Sequence, residues 1–72
     1  MNEYRFHVQL GVPDVLSYYQ GKARHLRTLD QNGMVLQLPL AKLQPFITPD
    51  GIHGDFLLVC DSENKFVSID RI

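Results

Sequence analysis

The sequence predicts a mainly β fold of the α+β class, with five strands in a strongly twisted antiparallel sheet or small open barrel. Residues 4–10 alternate strictly between apolar and polar side chains, as a half-buried strand does. Two pairs of later segments, 22–29 with 34–38 and 55–60 with 65–72, are each separated by a short polar turn typical of hairpins. The alternative is a flatter antiparallel sheet with a helix across one face.

With 44% hydrophobic and 21% charged residues, the composition is that of an ordinary globular protein. The length predicts a single domain, 1–72. The net charge of −1 gives no overall field toward nucleic acid or an anionic membrane. Cys60 is the only cysteine, which excludes an intramolecular disulfide and fits a reducing compartment. No apolar run approaches the roughly 18 residues of a membrane span, and the N-terminus does not resemble a signal peptide. We therefore expect a cytoplasmic protein without a membrane partner.

The first strand is followed by a short helix at residues 13–20. Pro13 suits the first helical position, Asp14 meets the positive end of the helix dipole, and Gly21 suits the position after the helix ends. The helix has an apolar stripe at helical spacing, formed by Val12, Val15, Leu16 and Tyr19.

Segment 22–29 is predicted as a strand, although neither of its faces is purely apolar. Asp30-Gln31-Asn32-Gly33 is a strong turn signal because Asn-Gly readily adopts positive φ. Residues 34–38 return as the third strand. One helical turn at 39–44 should end before Pro45, which disfavours helix at the preceding residue. We expect its apolar residues to close one end of the sheet, namely Leu40, Leu43 and Phe46.

The second half of the chain contains a loop at 48–54, an apolar central strand at 55–60, a turn at 61–64 and a last strand at 65–72. Simple alternation along the strands places some apolar residues on the sheet face opposite the core, namely Val35, Leu57, Val59, Val67 and Ile69. Either curvature of the sheet buries these residues, or part of them forms a surface for self-association.

The stretch from residue 18 to residue 27 concentrates the most chemistry-bearing side chains. Lysine and arginine at this density predict contact with phosphate groups, and tyrosines beside them could stack on bases. A solvated strand face whose charges discourage aggregation explains the same residues without a ligand. The candidate nucleic-acid or anion-binding residues are Tyr18, Tyr19, Lys22, Arg24, His25 and Arg27.

Two further groups contain residues that could form chemical sites. The loop from Asp50 to Asp55 contains two carboxylates and His53, but it shows no metal-ligand spacing, and Asp and Gly are ordinary turn residues. Cys60 could pair with a histidine as a nucleophile, but it ends the most apolar strand, where a buried structural thiol is expected. We therefore expect no enzyme, no metal and no cofactor.

Three motifs in order resemble a family of small uncharacterised bacterial proteins of about this length. They are Tyr18-Tyr19-Gln20-Gly21-x-Ala23, then Pro45-Phe46-x-Thr48-x-Asp50-Gly51-x-x-Gly54-x-Phe56, then Asn64-Lys65-Phe66-x-Ser68-x-x-Arg71-Ile72. The resemblance covers essentially the whole chain. It implies a bacterial, cytoplasmic, stand-alone domain of unknown function and brings no site residues with it.

The cyclic-dinucleotide-binding barrels of the PilZ type are a weaker comparison. Arg24 and Arg27 are too close together for the first PilZ element, and 61–64 does not fit the second. The sequence therefore favours a non-enzymatic, β-rich interaction module that binds an unknown macromolecule (protein or RNA) and could self-associate. Weak single-stranded RNA binding through residues 22–27 is the alternative, ahead of cyclic dinucleotides or other small anions.

Overall fold

The computed structural model describes residues 1–72, and it confirms that the chain is mainly β. Five strands are accompanied by one short α-helix and one 3₁₀ helix. In chain order the elements are β1 (Asn2–Leu10), α1 (Val12–Tyr19), β2 (His25–Leu29), β3 (Val35–Pro39), the 3₁₀ helix (Leu40–Phe46), β4 (Ile52–Cys60) and β5 (Phe66–Arg71).

The strands form two antiparallel sheets, so the predicted single five-stranded sheet or open barrel is wrong. In the larger sheet β4 lies between β1 and β5, with Asn2 opposite Cys60 and Leu10 opposite Ile52. Strands β2 and β3 pair only with each other. Both predicted hairpins are present. No ladder joins them, because the alternation of a strand fixes its inner face but not the strand beside which it lies.

The hydrophobic core lies between the two sheets and is closed by the 3₁₀ helix. Leu36 and Leu38 of the hairpin face the inner side of the larger sheet, where Phe56 is fully buried. Leu43 is also fully buried, and Phe46 packs its ring against Phe56 with centroids 5.0 Å apart. The predicted closure of one end by residues 40–46 is therefore confirmed. The helix continues through Pro45 because a 3₁₀ turn avoids the proline clash that disrupts an α-helix.

The β2–β3 turn is held by the buried carboxylate of Asp30. Its Oδ1 accepts the backbone N–H groups of Asn32 at 2.9 Å and Met34 at 2.7 Å. The N–H of Gln31 donates to the carbonyl oxygen of Arg5 at 2.8 Å, which attaches the turn to the edge of β1. The predicted turn therefore also joins the smaller sheet to the larger one.

Strand β2 begins at His25 and not at Lys22 as predicted. The chain first wraps around the end of α1, where the N–H groups of Lys22 and Ala23 both donate to the carbonyl of Ser17. Gly21, with φ of 76°, makes this wrap possible. Because these donors are used by the helix end, Lys22 and Ala23 do not join the strand ladder, and Arg24 also precedes the strand.

Helix α1 turns only part of its predicted apolar face toward the core. Val15 and Tyr18 pack against the core cluster. Val12, Leu16 and Tyr19 form a neighbouring stripe that is 53%, 53% and 60% exposed. Of the four residues of the apolar stripe, only Val15 packs on the core, because a helix of two turns at the end of a small core contacts it along one narrow line.

A bulge in β5 changes which side chains face inward. Val59 pairs with Ser68 and Cys60 pairs with Phe66, so Val67 is the extra residue. Ile69 lies opposite Leu58 and packs on the core, which corrects its predicted place on the outer face. Leu57 and Val59 are half-buried, while Val35 and Val67 are exposed.

Candidate interaction surface

The predicted basic stretch is exposed and divided between a loop and a strand. Lys22 and Arg24 precede β2, whereas His25 and Arg27 lie on one exposed face of β2, opposite Pro39 and Gln37. The chain contains two ion pairs, His7–Asp55 and Lys65–Glu63, and neither involves this stretch. The four side chains are therefore exposed and without carboxylate partners, and three of them, Lys22, Arg24 and Arg27, carry a positive charge.

The two tyrosines of that stretch have different environments. Tyr18 packs on the core and its hydroxyl donates to Oε1 of Gln44 at 2.7 Å. Tyr19 is 60% exposed, and its ring centroid lies 5.2 Å from that of Tyr18 at an interplanar angle of 49°. Of the two tyrosines predicted as alternatives for stacking, Tyr19 is the more exposed one.

A groove runs along α1 beside its exposed stripe, and sequence reasoning missed it. We call Val12, Leu16 and Tyr19 the α1 stripe. The turn at residues 48–51 forms the opposite wall, and the groove has a volume of about 260 Å³. The bridge between Thr48 and Gly51 holds this turn, with Thr48 N–H to Gly51 O at 2.8 Å. Exposed apolar side chains at helical spacing in a groove are typical of a helix-binding surface.

The second predicted group, at residues 50–55, does not come together. The imidazole Nε2 of His53 contacts the backbone oxygen of Asp50 at 2.8 Å. Asp55 instead pairs with His7 of the neighbouring strand, with 2.9 Å between Oδ1 and Nδ1. No three His, Cys, Asp or Glu side chains are grouped closely enough to hold a metal ion.

Cys60 is buried, as predicted, and its side chain makes no hydrogen bond to a histidine. Burial raises the pKa of the Cys60 thiol above its ordinary value, and the neighbouring Asp61 carboxylate raises it further. His53 lies at the other end of β4, and His7 lies opposite Asp55. A thiol of this kind has little nucleophilic character.

The model of a family described as "Protein of unknown function (DUF2835)" matches residues 2–72. The chain belongs to the DUF2835 family. The match confirms the resemblance to a family of small uncharacterised proteins that the three sequence motifs indicated. No curated protein and no solved structure matches this DUF2835 chain. None of its helices is long and apolar enough to cross a bilayer.

Proposed function

We propose that this DUF2835 protein is a non-enzymatic interaction module that binds a protein segment along the α1 stripe. The observation that carries the proposal is the exposure of Val12, Leu16 and Tyr19 beside the groove formed with the turn at residues 48–51. Leaving three large apolar side chains in water is unfavourable, by about 25 cal/mol per Å² of apolar surface. A partner that covers them gains this free energy.

The charges beside the α1 stripe favour an acidic partner. Lys22 and Arg24 follow directly after α1 and have no carboxylate partner. A segment with apolar residues for the groove and Asp or Glu at one end would complement both features. Association should be stronger at low salt, because salt screens the attraction between exposed charges.

The size of the stripe favours a short segment over a second copy of the chain. Three side chains cover far less than the roughly 800 Å² per partner that stable protein complexes bury. A single peptide helix or extended segment can place two or three anchors in such a groove. We therefore expect weak and reversible binding, and a chain that is monomeric on its own.

The proposal is tested with peptides selected from a random displayed library on the immobilised wild-type protein. We expect the selected peptides to share apolar residues with flanking Asp or Glu. Their affinity should fall at least about tenfold, equivalent to 1.4 kcal/mol, for Leu16→Asp. The matched control is Met34→Asp, because Met34 is 55% exposed and Leu16 53% exposed, but Met34 lies outside the groove. Equal binding to both variants, or no acidic and apolar consensus, would refute the proposal.

Single-stranded RNA is the second candidate, favoured by the unpaired and exposed side chains of Lys22, Arg24, His25 and Arg27. Its signature is an affinity that decreases with salt, because each phosphate contact releases counterions. An RNA oligonucleotide that binds wild type but not the double variant Arg24→Ala/Arg27→Ala, and that ignores Leu16→Asp, would replace the protein-segment proposal. Binding retained by the double variant would exclude RNA at this surface.

A further inference from the structure

A second cleft lies between the β2–β3 turn and exposed residues of β1 and β4 in the larger sheet. Its volume is about 540 Å³, within the 300–1,000 Å³ typical of small-molecule sites. Arg5, His7 and Asp55 lie on the sheet side, and Leu29 and Asp30 lie on the turn side. The hydrogen bond from Gln31 to the carbonyl of Arg5 fixes the two sides relative to each other.

The carboxylate of Asp30, a residue that lines this cleft, uses only one of its two oxygens to hold the turn. Asp30 is 7% exposed, and its Oδ1 accepts both backbone hydrogen bonds of the turn. The other oxygen, Oδ2, makes no hydrogen bond within the protein, yet no fully buried polar side-chain atom lacks a partner. Oδ2 is therefore not fully enclosed by the protein, and Asp30 is among the residues that line the cleft. A carboxylate oxygen in this setting suits an ammonium group.

The guanidinium of Arg5 is the complementary group. No carboxylate lies within 4.0 Å of it, whereas the other cation-capable side chain of the cleft, His7, is already paired with Asp55. Arg5 and His7 are two residues apart on the same face of β1. Because an ionised carboxylate can only accept, Nδ1 of His7 donates in this pair.

Apolar side chains complete the cleft. Leu29 is 58% exposed and Ile72 is 59% exposed, and both line it. The N–H of Ile72 donates to the carbonyl of Asp55 at 3.0 Å, which places Ile72 beside the His7–Asp55 pair. The acidic Asp30, the unpaired Arg5, the His7–Asp55 pair and two apolar side chains therefore border the same space.

We propose that this cleft binds a free α-amino acid with an apolar side chain. The ligand carboxylate contacts Arg5, its ammonium contacts Oδ2 of Asp30, and its side chain packs on Leu29 and Ile72. A simple anion is disfavoured because two acidic residues, Asp30 and Asp55, line the cleft. A simple cation would leave Arg5 unpaired. A zwitterion satisfies both charges, and this site is separate from the α1 stripe.

The test is an amide NMR titration of the full chain with L-leucine and three matched probes. Glycine lacks the side chain, 4-methylpentanoate lacks the ammonium, and 3-methylbutylamine lacks the carboxylate. We expect leucine to shift the amides of residues 5–7, 29–31 and 55, and each probe to bind at least about tenfold more weakly. If 4-methylpentanoate binds as well as leucine, the role of Asp30 is wrong. If leucine causes no shifts at these residues, the proposal is refuted.

Variants separate the site from general charge effects. Arg5→Gln should weaken leucine at least about tenfold, because it removes the carboxylate contact from an exposed strand face without altering the core. Lys65→Gln removes the same charge from an exposed residue that lies outside the cleft, and it should leave binding unchanged. Equal affinity for wild type and Arg5→Gln would overturn the proposal, as would equal loss in both variants.

Discussion

Replacing Asp30 with alanine tests whether one buried carboxylate organises the junction between the two sheets. Asp30→Ala removes the acceptor of the Asn32 and Met34 N–H groups, which form hydrogen bonds of 2.9 and 2.7 Å to Oδ1. The turn also carries the Gln31 contact to the edge of β1. Loss of the turn geometry therefore loosens the smaller sheet from the larger one as well as the hairpin itself.

The magnitude follows from two hydrogen bonds to a charged acceptor. Each contributes about 1.5–3 kcal/mol, and water can reach the freed N–H groups in part, so we expect a net loss of about 2–4 kcal/mol. For a domain of this size that corresponds to a decrease in Tm of about 8–30 °C. Asp30→Asn keeps an oxygen in the same place and loses only the charge, so its decrease in Tm should be much smaller.

The assay is thermal unfolding followed by circular dichroism, with Asp50→Ala as the control. Asp50 is an exposed turn aspartate whose carboxylate accepts no hydrogen bond, so we expect a change within about 0.5 kcal/mol. If Asp30→Ala lowers Tm no more than Asp50→Ala does, the carboxylate does not hold the turn and the reasoning fails.

Two further substitutions test the backbone and the buried thiol. Gly51→Ala should destabilise the fold by about 3 kcal/mol or more, since φ is 113° and an added Cβ would collide with the carbonyl oxygen of Leu10. Gly21→Ala is also at positive φ but has open space around it, so it should cost only about 1–2 kcal/mol. Urea titrations that give the two variants equal losses of stability would contradict this. The free energy of unfolding of wild type should decrease as pH rises above about 8.5, the ordinary pKa of a thiol, because burial favours the protonated form of Cys60 in the folded state. Cys60→Ala should lack the part of this decrease that comes from the thiol. Identical pH profiles of wild type and Cys60→Ala would contradict the role of Cys60.

Local patterns predicted the individual elements well. The alternation of residues 4–10 predicted β1, and Asp30 to Gly33 predicted the first hairpin, because each signal depends on neighbours in sequence. The pairing of β1 with β4 could not be predicted in this way, since no turn fixes the register of strands so far apart. The bulge at Val67 was also missed, and it reversed the predicted face of Ile69.

Sequence patterns located the exposed basic residues but not their arrangement or the groove beside α1. The sequence indicated that residues 22–27 are exposed and basic, but Ser17 accepts the N–H groups of Lys22 and Ala23 and keeps Lys22 outside β2. The pairing of His7 with Asp55 depends on the β1–β4 register and had no local signal. The exposure of the α1 stripe depends on the width of the core, which hydrophobic periodicity alone does not provide.

The central claim is that the α1 stripe is a docking surface for a protein segment. The most direct measurement is an amide NMR titration of the labelled chain with one of the selected acidic and apolar peptides. The claim predicts shifts at Val12–Tyr19 and at residues 48–51, and their loss in Leu16→Asp. Shifts confined to residues 25–29, or shifts unchanged in Leu16→Asp, would contradict it.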